Sequence, residues 1–185
     1  MHTEKIDKFV NSLKNTTQKS NMTQKHAAMI MIGGKKISVG YNHDRMTTNR
    51  RPILSYHAEI HAIANYINQN KLNVLKNFIN DTEKCLSFRK NKILSGNVNH
   101  KCLKCIEKKL KVIVIRTDKE GKLKNSKPCN NCIQIMKLFG VKTVYYSNED
   151  GNINKCKIDN ICKDHSSGRQ NAYLRFLNKN KNEFY

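Results

Sequence analysis

The sequence lacks any uninterrupted run of about 18 apolar residues, the length a helix needs to cross a bilayer, so no membrane span is expected. Its opening stretch, MHTEKIDKFVNSLKN, mixes charges of both signs and has none of the apolar core of a secretory leader. The expectation is therefore an intracellular, cytoplasmic protein. No segment repeats at a fixed spacing, which argues against a solenoid or propeller. Acidic residues are scarce, 14 Asp and Glu against 35 Lys and Arg, for a formal net charge of +21. Such an excess favours polyanionic partners: nucleotides, an acidic surface, or nucleic acid through a basic surface. Yet there is no arginine-rich tail and no aromatic-interleaved RNA-binding motif, and the basic residues are spread rather than blocked. Lys, Asn and Ile are abundant together, as coding from an AT-rich genome produces, so a field of solvated lysines is the competing account.

What the chain does contain is enough for one core: 185 residues, 38% of them hydrophobic, read as a single domain over 1–185 with room for an insertion. Seven cysteines are present. In a reducing compartment, the C-x-x-C spacing of Cys102/Cys105 and of Cys129/Cys132 reads as metal ligation rather than as disulfides.

Ile6, Phe9, Val10 and Leu13 recur at helical spacing, which predicts a helix over 4–14 and a polar loop after it. HAAMIMI (26–32) reads as a buried strand, Gly33-Gly34 as a hairpin turn and KKISVGY (35–41) as the returning strand. A polar, basic loop runs through Pro52. Ile60, Ile63, Ala64 and Ile67 then share one face of a helix over 57–69, with Ser55 as its cap. Segment 71–109 has weaker periodicity and is read as an insertion. LKVIVIR (110–116) is a buried strand, DKEG (118–121) a turn, and SKPCNNCIQIMKLFG (126–140) a loop entering a helix that stops at Gly140. KTVYYS (142–147) and INKCKI (153–158) form a second hairpin, and a last helix over 169–178 buries Tyr173, Leu174 and Leu177. The expected fold class is α/β, three-layered, with a mixed sheet of about five strands and the insertion between the second helix and the third strand. The hairpins demand antiparallel pairs. The strands flanking the 129–140 helix should be parallel through a crossover.

His57 and Glu59 open one of these helices, and Pro128, Cys129 and Cys132 open another. Two strand-to-helix crossovers would bring both helix starts to one sheet edge. His57, Cys129 and Cys132 would then supply three zinc ligands and leave a fourth position open, the arrangement of a catalytic rather than a structural zinc. Glu59 would be the proton shuttle for a water whose pKa zinc lowers to roughly 7. The bland alternative is a solvated first helical turn and a pair of buried or structural cysteines.

His57-Ala58-Glu59 followed by Pro128-Cys129-Asn130-Asn131-Cys132 resembles the zinc-dependent cytidine and deoxycytidylate deaminase superfamily, whose signature is H-x-E…P-C-x-x-C. The resemblance covers about 24–70 and 108–150. It implies a zinc-dependent hydrolase that deaminates a cytosine-type nucleotide or nucleoside, with Zn2+ as cofactor and assembly into a homo-oligomer. It also permits a nucleic-acid base deaminase, or a basic nucleic-acid-binding or structural protein that retains the fold. Two departures stand out. The gap between the two halves of the motif is long, absorbed by 71–109, and Lys127 stands where many relatives carry glutamate.

By the same resemblance Asn42 contacts the sugar, the backbone amide of Ala58 holds the base carbonyl, and the backbone at Ser126 accepts the amino group. Turn chemistry is the competing account of Asn42. His43 and Arg45 are candidates for phosphate contact. A histidine ligand is typical of deaminases acting on dCMP, cytosine, guanine, tRNA adenosine or polynucleotide cytosine, whereas the direct 142–158 hairpin is typical of those acting on free cytidine. Cys85, His100, Cys102 and Cys105 are candidates for a second, structural zinc stapling the insertion. Cys156, Cys162 and His165 are too loosely spaced for a site, and Cys156 reads as core. His61 reads as a surface or supporting histidine and His26 as structural.

Overall fold

The structure, a computed structural model, describes residues 2–43, 56–69 and 110–161. Three of the sequence-based expectations lie outside these residues: the 44–55 loop with Arg45 and Ser55, the 71–109 insertion with Cys85, His100, Cys102 and Cys105, and the C-terminal helix with Cys162 and His165 before it. No helix among the described residues is long and apolar enough to cross a membrane.

Six strands and three α-helices are seen among the described residues: α1 (His2–Thr17), β1 (Lys25–Ile32), β2 (Lys35–Tyr41), α2 (Ala58–Gln69), β3 (Leu110–Thr117), β4 (Leu123–Lys124), α3 (Asn130–Leu138), β5 (Val141–Ser147) and β6 (Ile153–Lys157). The sheet runs β2-β1-β3-β5-β6, with the two-residue β4 paired to β3. Two expectations are adjusted. The first helix is longer than 4–14 at both ends, because the polar residues Asn15 to Thr17 continue it. The strand count rises from five to six, because the turn after β3 folds Leu123 and Lys124 back onto Thr117 and Arg116. A two-residue strand carries no periodicity to read.

β1 pairs antiparallel with both β2 and β3. β2 and β3 therefore run in the same direction on either side of it, and β5 lies parallel to β3. The C-terminal ends of β2, β3 and β5 thus share one edge. Helices following β2 and β3 must start there, which is the usual place for a ligand site in an open α/β sheet. The β1–β2 hairpin turns at Gly33 (φ 56°) and Gly34 (φ 75°), both in the left-handed region that a two-residue turn of this kind requires.

Alternation along the strands divides the core. Ala28 and Ile30 of β1 and Leu110, Val112 and Val114 of β3 face α2 and α3, meeting Ala62, Ile63, Ile67, Ile133, Met136 and Phe139. Ala27, Met29 and Met31 of β1, with Ile113, Ile115 and Tyr145, face α1 and meet Val10 and Leu13. The result is a sheet between two helical layers. The α2 layer sits unusually close. Gly40 of β2 has no side chain because α2 occupies that space: a Cβ there would come within 2.6 Å of Ala58 O and 2.7 Å of the His61 carbonyl carbon. Two bonds lock the approach, from Ser38 Oγ to Ala62 O (2.8 Å) and from Asn65 Nδ2 to Val39 O (2.8 Å).

Candidate metal and proton-transfer site

The starts of α2 and α3 are built alike. The carbonyl of His57 accepts the first helical bond, from His61 N (2.9 Å), and the carbonyl of Cys129 accepts from Ile133 N (3.0 Å). Both residues therefore sit at the position where Ser or Asp usually caps a helix. Cys129 has extended dihedrals (φ −71°, ψ 163°) and makes no side-chain cap bond, so its sulfur is spared for another role. Cys132 follows within the first turn of α3.

This placement brings together what the sequence separates. His57 Nδ1 lies 3.3 Å from Cys132 Sγ and 3.6 Å from Cys129 Sγ, and the ligand atoms of the three residues all lie within 4.8 Å of one another. Zn–S bonds of about 2.3 Å and Zn–N bonds of about 2.0 Å at a tetrahedral angle put donors roughly 3.6 Å apart, so the observed spacing and the N/S/S donor set fit zinc. No other cluster of three such residues is found among the described residues. His61, one turn beyond His57, is not part of it.

Glu59 is buried beside these groups. Burial pushes its carboxyl pKa above the usual range. Nearby His57 opposes that shift, and the Cys129 charge reinforces it. The two thiols are pushed apart. A hydrogen bond from Cys132 holds Cys129 down as the thiolate, helped by His57 against the cost of burial. The same bond, with burial, pushes Cys132 up. The α3 N-terminus also favours a thiolate at Cys129. Behind the site, His26 is held neutral, its pKa lowered to about 3 by burial, then by Arg116 and His57.

Ala58 is fully buried in the first turn of α2, where a backbone N–H has no partner within the helix. Ser126 is buried. Its N–H donates to Ser147 O (2.9 Å) and its hydroxyl to Val114 O (2.8 Å), which leaves its carbonyl without a donor among the described residues. Asn42 is committed to the scaffold: its Oδ1 accepts from Ser20 Oγ (2.8 Å) and His26 N (2.7 Å), and its Nδ2 donates to Gln24 O (2.7 Å). Scaffold bonds to residues 16 to 22 positions away, rather than a local turn, account for three of its four hydrogen-bonding positions. Cys156 is partly buried against the α2-side core.

Sequence reasoning missed a ring cluster next to the site. Tyr41 O lies 2.9 Å from His61 Nδ1 and 3.2 Å from His43 Nδ1. The His43 and His61 rings stand edge to face at 4.7 Å, and Tyr56 packs against both. The backbones of His43 and Tyr56 exchange two hydrogen bonds (3.2 and 3.0 Å), which fixes the chain just before His57. The one sequence signal was the recurrence of His and Tyr at 41, 43, 56 and 61, which only the fold brings together.

A family model described as the cytidine and deoxycytidylate deaminase zinc-binding region matches residues 3–148. No curated protein matches significantly. Among solved structures, the chain is similar to a dCMP deaminase from the cyanophage S-TIM5 in complex with dCMP and dUMP, at 16% identity and TM-score 0.43, covering 80% of this chain and 85% of that one. It is also similar to a cytidine deaminase from Burkholderia pseudomallei, at 15% identity and TM-score 0.46, covering 85% of this chain and 95% of that one.

Proposed function

The chain belongs to the cytidine and deoxycytidylate deaminase family, and from that premise we propose that it is a zinc-dependent hydrolytic deaminase of a cytosine-type nucleoside or nucleotide. The observation that carries the reading is the buried carboxyl of Glu59 beside the converged His57, Cys129 and Cys132. A purely structural zinc site has no use for such an acid.

His57, Cys129 and Cys132 would hold the metal. When bound, zinc supplies a Lewis acid that lowers the pKa of water to about 7. Glu59 takes a proton from the attacking water and delivers it to the departing amine, so that one water is consumed and one ammonia released as the cytosine-type base becomes the uracil-type base. A carboxyl whose pKa is raised by burial suits a group that must both accept and donate a proton near neutrality. The N–H of Ala58 points the base carbonyl, and the carbonyl of Ser126 receives the exocyclic amine. Asn42 supports this arrangement by pinning the end of β2 and offers its remaining N–H to the sugar.

The test is ammonia release by the zinc-loaded protein from cytosine, cytidine, dCMP, dCTP, guanine, adenosine and short single-stranded DNA and RNA, with Glu59→Gln in parallel. The expected result is turnover of a cytosine nucleoside or nucleotide that Glu59→Gln loses while keeping its zinc. Silence across the panel from zinc-loaded protein overturns the reading.

A further inference from the structure

Residues 124–127, which lead from β4 toward Cys129, are fastened from two sides. The parallel pairing of β3 with β5 stops at Val114 and Tyr146, and Ser126 fills the fork that opens beyond it. Ser147, the last residue of β5, holds it there. The Ser147 hydroxyl donates to Lys124 O, its N–H donates to Ser126 Oγ (2.9 Å), and its carbonyl accepts from Ser126 N (2.9 Å). On the other arm of the fork, Ser126 Oγ donates to Val114 O (2.8 Å). Both serines are closed to solvent, at 1% and 0% exposure. Asn125 makes the second fastening. Its Oδ1 accepts from Lys127 N (3.0 Å), which closes an Asx turn with Ser126 at the apex.

The consequence falls on one atom. The peptide joining Ser126 to Lys127 is planar and trans, so its C=O and N–H point in opposite directions. Holding the Lys127 N–H against Asn125 Oδ1 therefore turns the Ser126 carbonyl away from the Asn125 side chain. The bonds to Ser147 and Val114 keep the residue itself from swinging. The carbonyl aimed in this way has no donor among the described residues, although backbone carbonyls in buried positions are nearly always paired. A rigid, buried acceptor three residues before Cys129 fits a hydrogen-bond donor brought by a ligand.

Resting on the deaminase reading above, we propose that Asn125 and Ser147 are positioning residues. They aim the Ser126 carbonyl at the exocyclic amine of the cytosine-type base, and so let the site tell that base from its uracil-type product. The amine offers an N–H to the carbonyl. The product carries a carbonyl oxygen at the same ring position, which would meet Ser126 acceptor to acceptor. A fixed carbonyl therefore rewards the substrate and not the product, whereas one free to rotate would favour neither. Neither Asn125 nor Ser147 has to touch the base to do this.

The test is steady-state kinetics of the zinc-loaded full chain on dCMP and on cytidine, with dUMP and uridine as inhibitors. Asn125→Ala and Ser147→Ala should each keep their zinc and lose about tenfold in kcat/KM, the worth of one misdirected hydrogen bond. The Ki of the matching uracil compound should stay at its wild-type value, because that compound has no amine to present. Asn125→Asp keeps the acceptor of the Asx turn and should restore kcat/KM. Asn125 is only partly buried, so its variants open no core and decide the matter alone should Ser147→Ala fail to fold. Unchanged kcat/KM in Asn125→Ala overturns the inference. So does an equal loss for substrate and product, or a loss of zinc, since the turn would then merely prop Cys129. Silence of the wild type on both substrates overturns the deaminase reading itself, and the roles of Asn125 and Ser147 fall with it.

Discussion

His57 Nδ1 stands 3.3 Å from Cys132 Sγ although 75 positions separate them in the chain. That contact joins the starts of α2 and α3 through groups that are costly to bury unless something binds them. A metal should therefore stabilise the whole α2–α3 layer. Zinc at a thousand times its Kd is expected to add about 4 kcal/mol to folding. Chelation should lower Tm correspondingly, and in Cys132→Ala the chelator should have almost no effect. Thermal melts with and without chelator, alongside zinc content per chain, check this.

Gly40 is the second place where the site depends on geometry. Packing costs of about 1–3 kcal/mol are usual when a methyl group is forced into a filled space. At Gly40 the obstruction is the backbone of α2 at Ala58 and His61, which cannot rotate aside. Gly40→Ala is expected to reach the upper end of that range, about 3 kcal/mol, and to weaken zinc binding, since α2 must lift and carry His57 with it. Gly121→Ala is a comparison with open space around it, where only the backbone strain of its φ of 81° applies. Urea unfolding and zinc titration of both variants separate lost packing from lost site geometry.

The residues that carry chemistry were legible because their spacing is local: His57 and Glu59 share one helical turn, and so do Cys129 and Cys132. Their meeting was also foreseeable, because a hairpin followed by crossovers leaves few places for helix starts. Three features were not legible. Gly40 is one glycine among eight until α2 is laid over it. Asn42 could be read as a sugar ligand or as a turn residue, and its three internal bonds emerge only when Ser20, Gln24 and His26 arrive beside it. The face on which Lys36 lies depends on inter-strand register, including the bulge between Ile30 and Met31, which sets it opposite Met31. A sequence read one strand at a time holds no such information.

Glu59 ties stability to pH in the metal-stripped protein. Burial raises its folded pKa above the ordinary 4.5, so between 4.5 and the folded value the unfolded chain has released a proton that the folded chain still holds. Its contribution is therefore most favourable below 4.5. It declines as pH rises toward the folded value, by at most about 1.4 kcal/mol per pH unit. Glu59→Gln removes that penalty. The metal-free variant is expected to be more stable than the metal-free wild type near pH 7, with the difference closing near pH 4. Denaturant midpoints at the two pH values check the sign. A variant less stable than the wild type at neutral pH would mean that the ionised carboxylate is held by stronger partners than burial opposes.

Tyr145 presents the opposite case, a polar atom buried where chemistry has no claim on it. Its ring packs in the α1-side core with Met29, Met31 and Ile113, and its Oη is buried without a hydrogen-bond partner among the described residues. Burial also pushes the phenol pKa up, because a phenolate there would be poorly solvated. Leaving a hydroxyl unsatisfied costs about 1–3 kcal/mol, whereas the ring alone retains the packing. Tyr145→Phe is therefore expected to stabilise the protein by about 1 kcal/mol and to leave zinc content and turnover unchanged. It should also remove one late-titrating phenol from the alkaline absorbance curve. A loss of stability would instead indicate an ordered water bonded to the hydroxyl, of the kind that satisfies buried polar groups in other cores. The spectral change would then still identify Tyr145 as the late phenol, so hydration can be told from a misplaced ring.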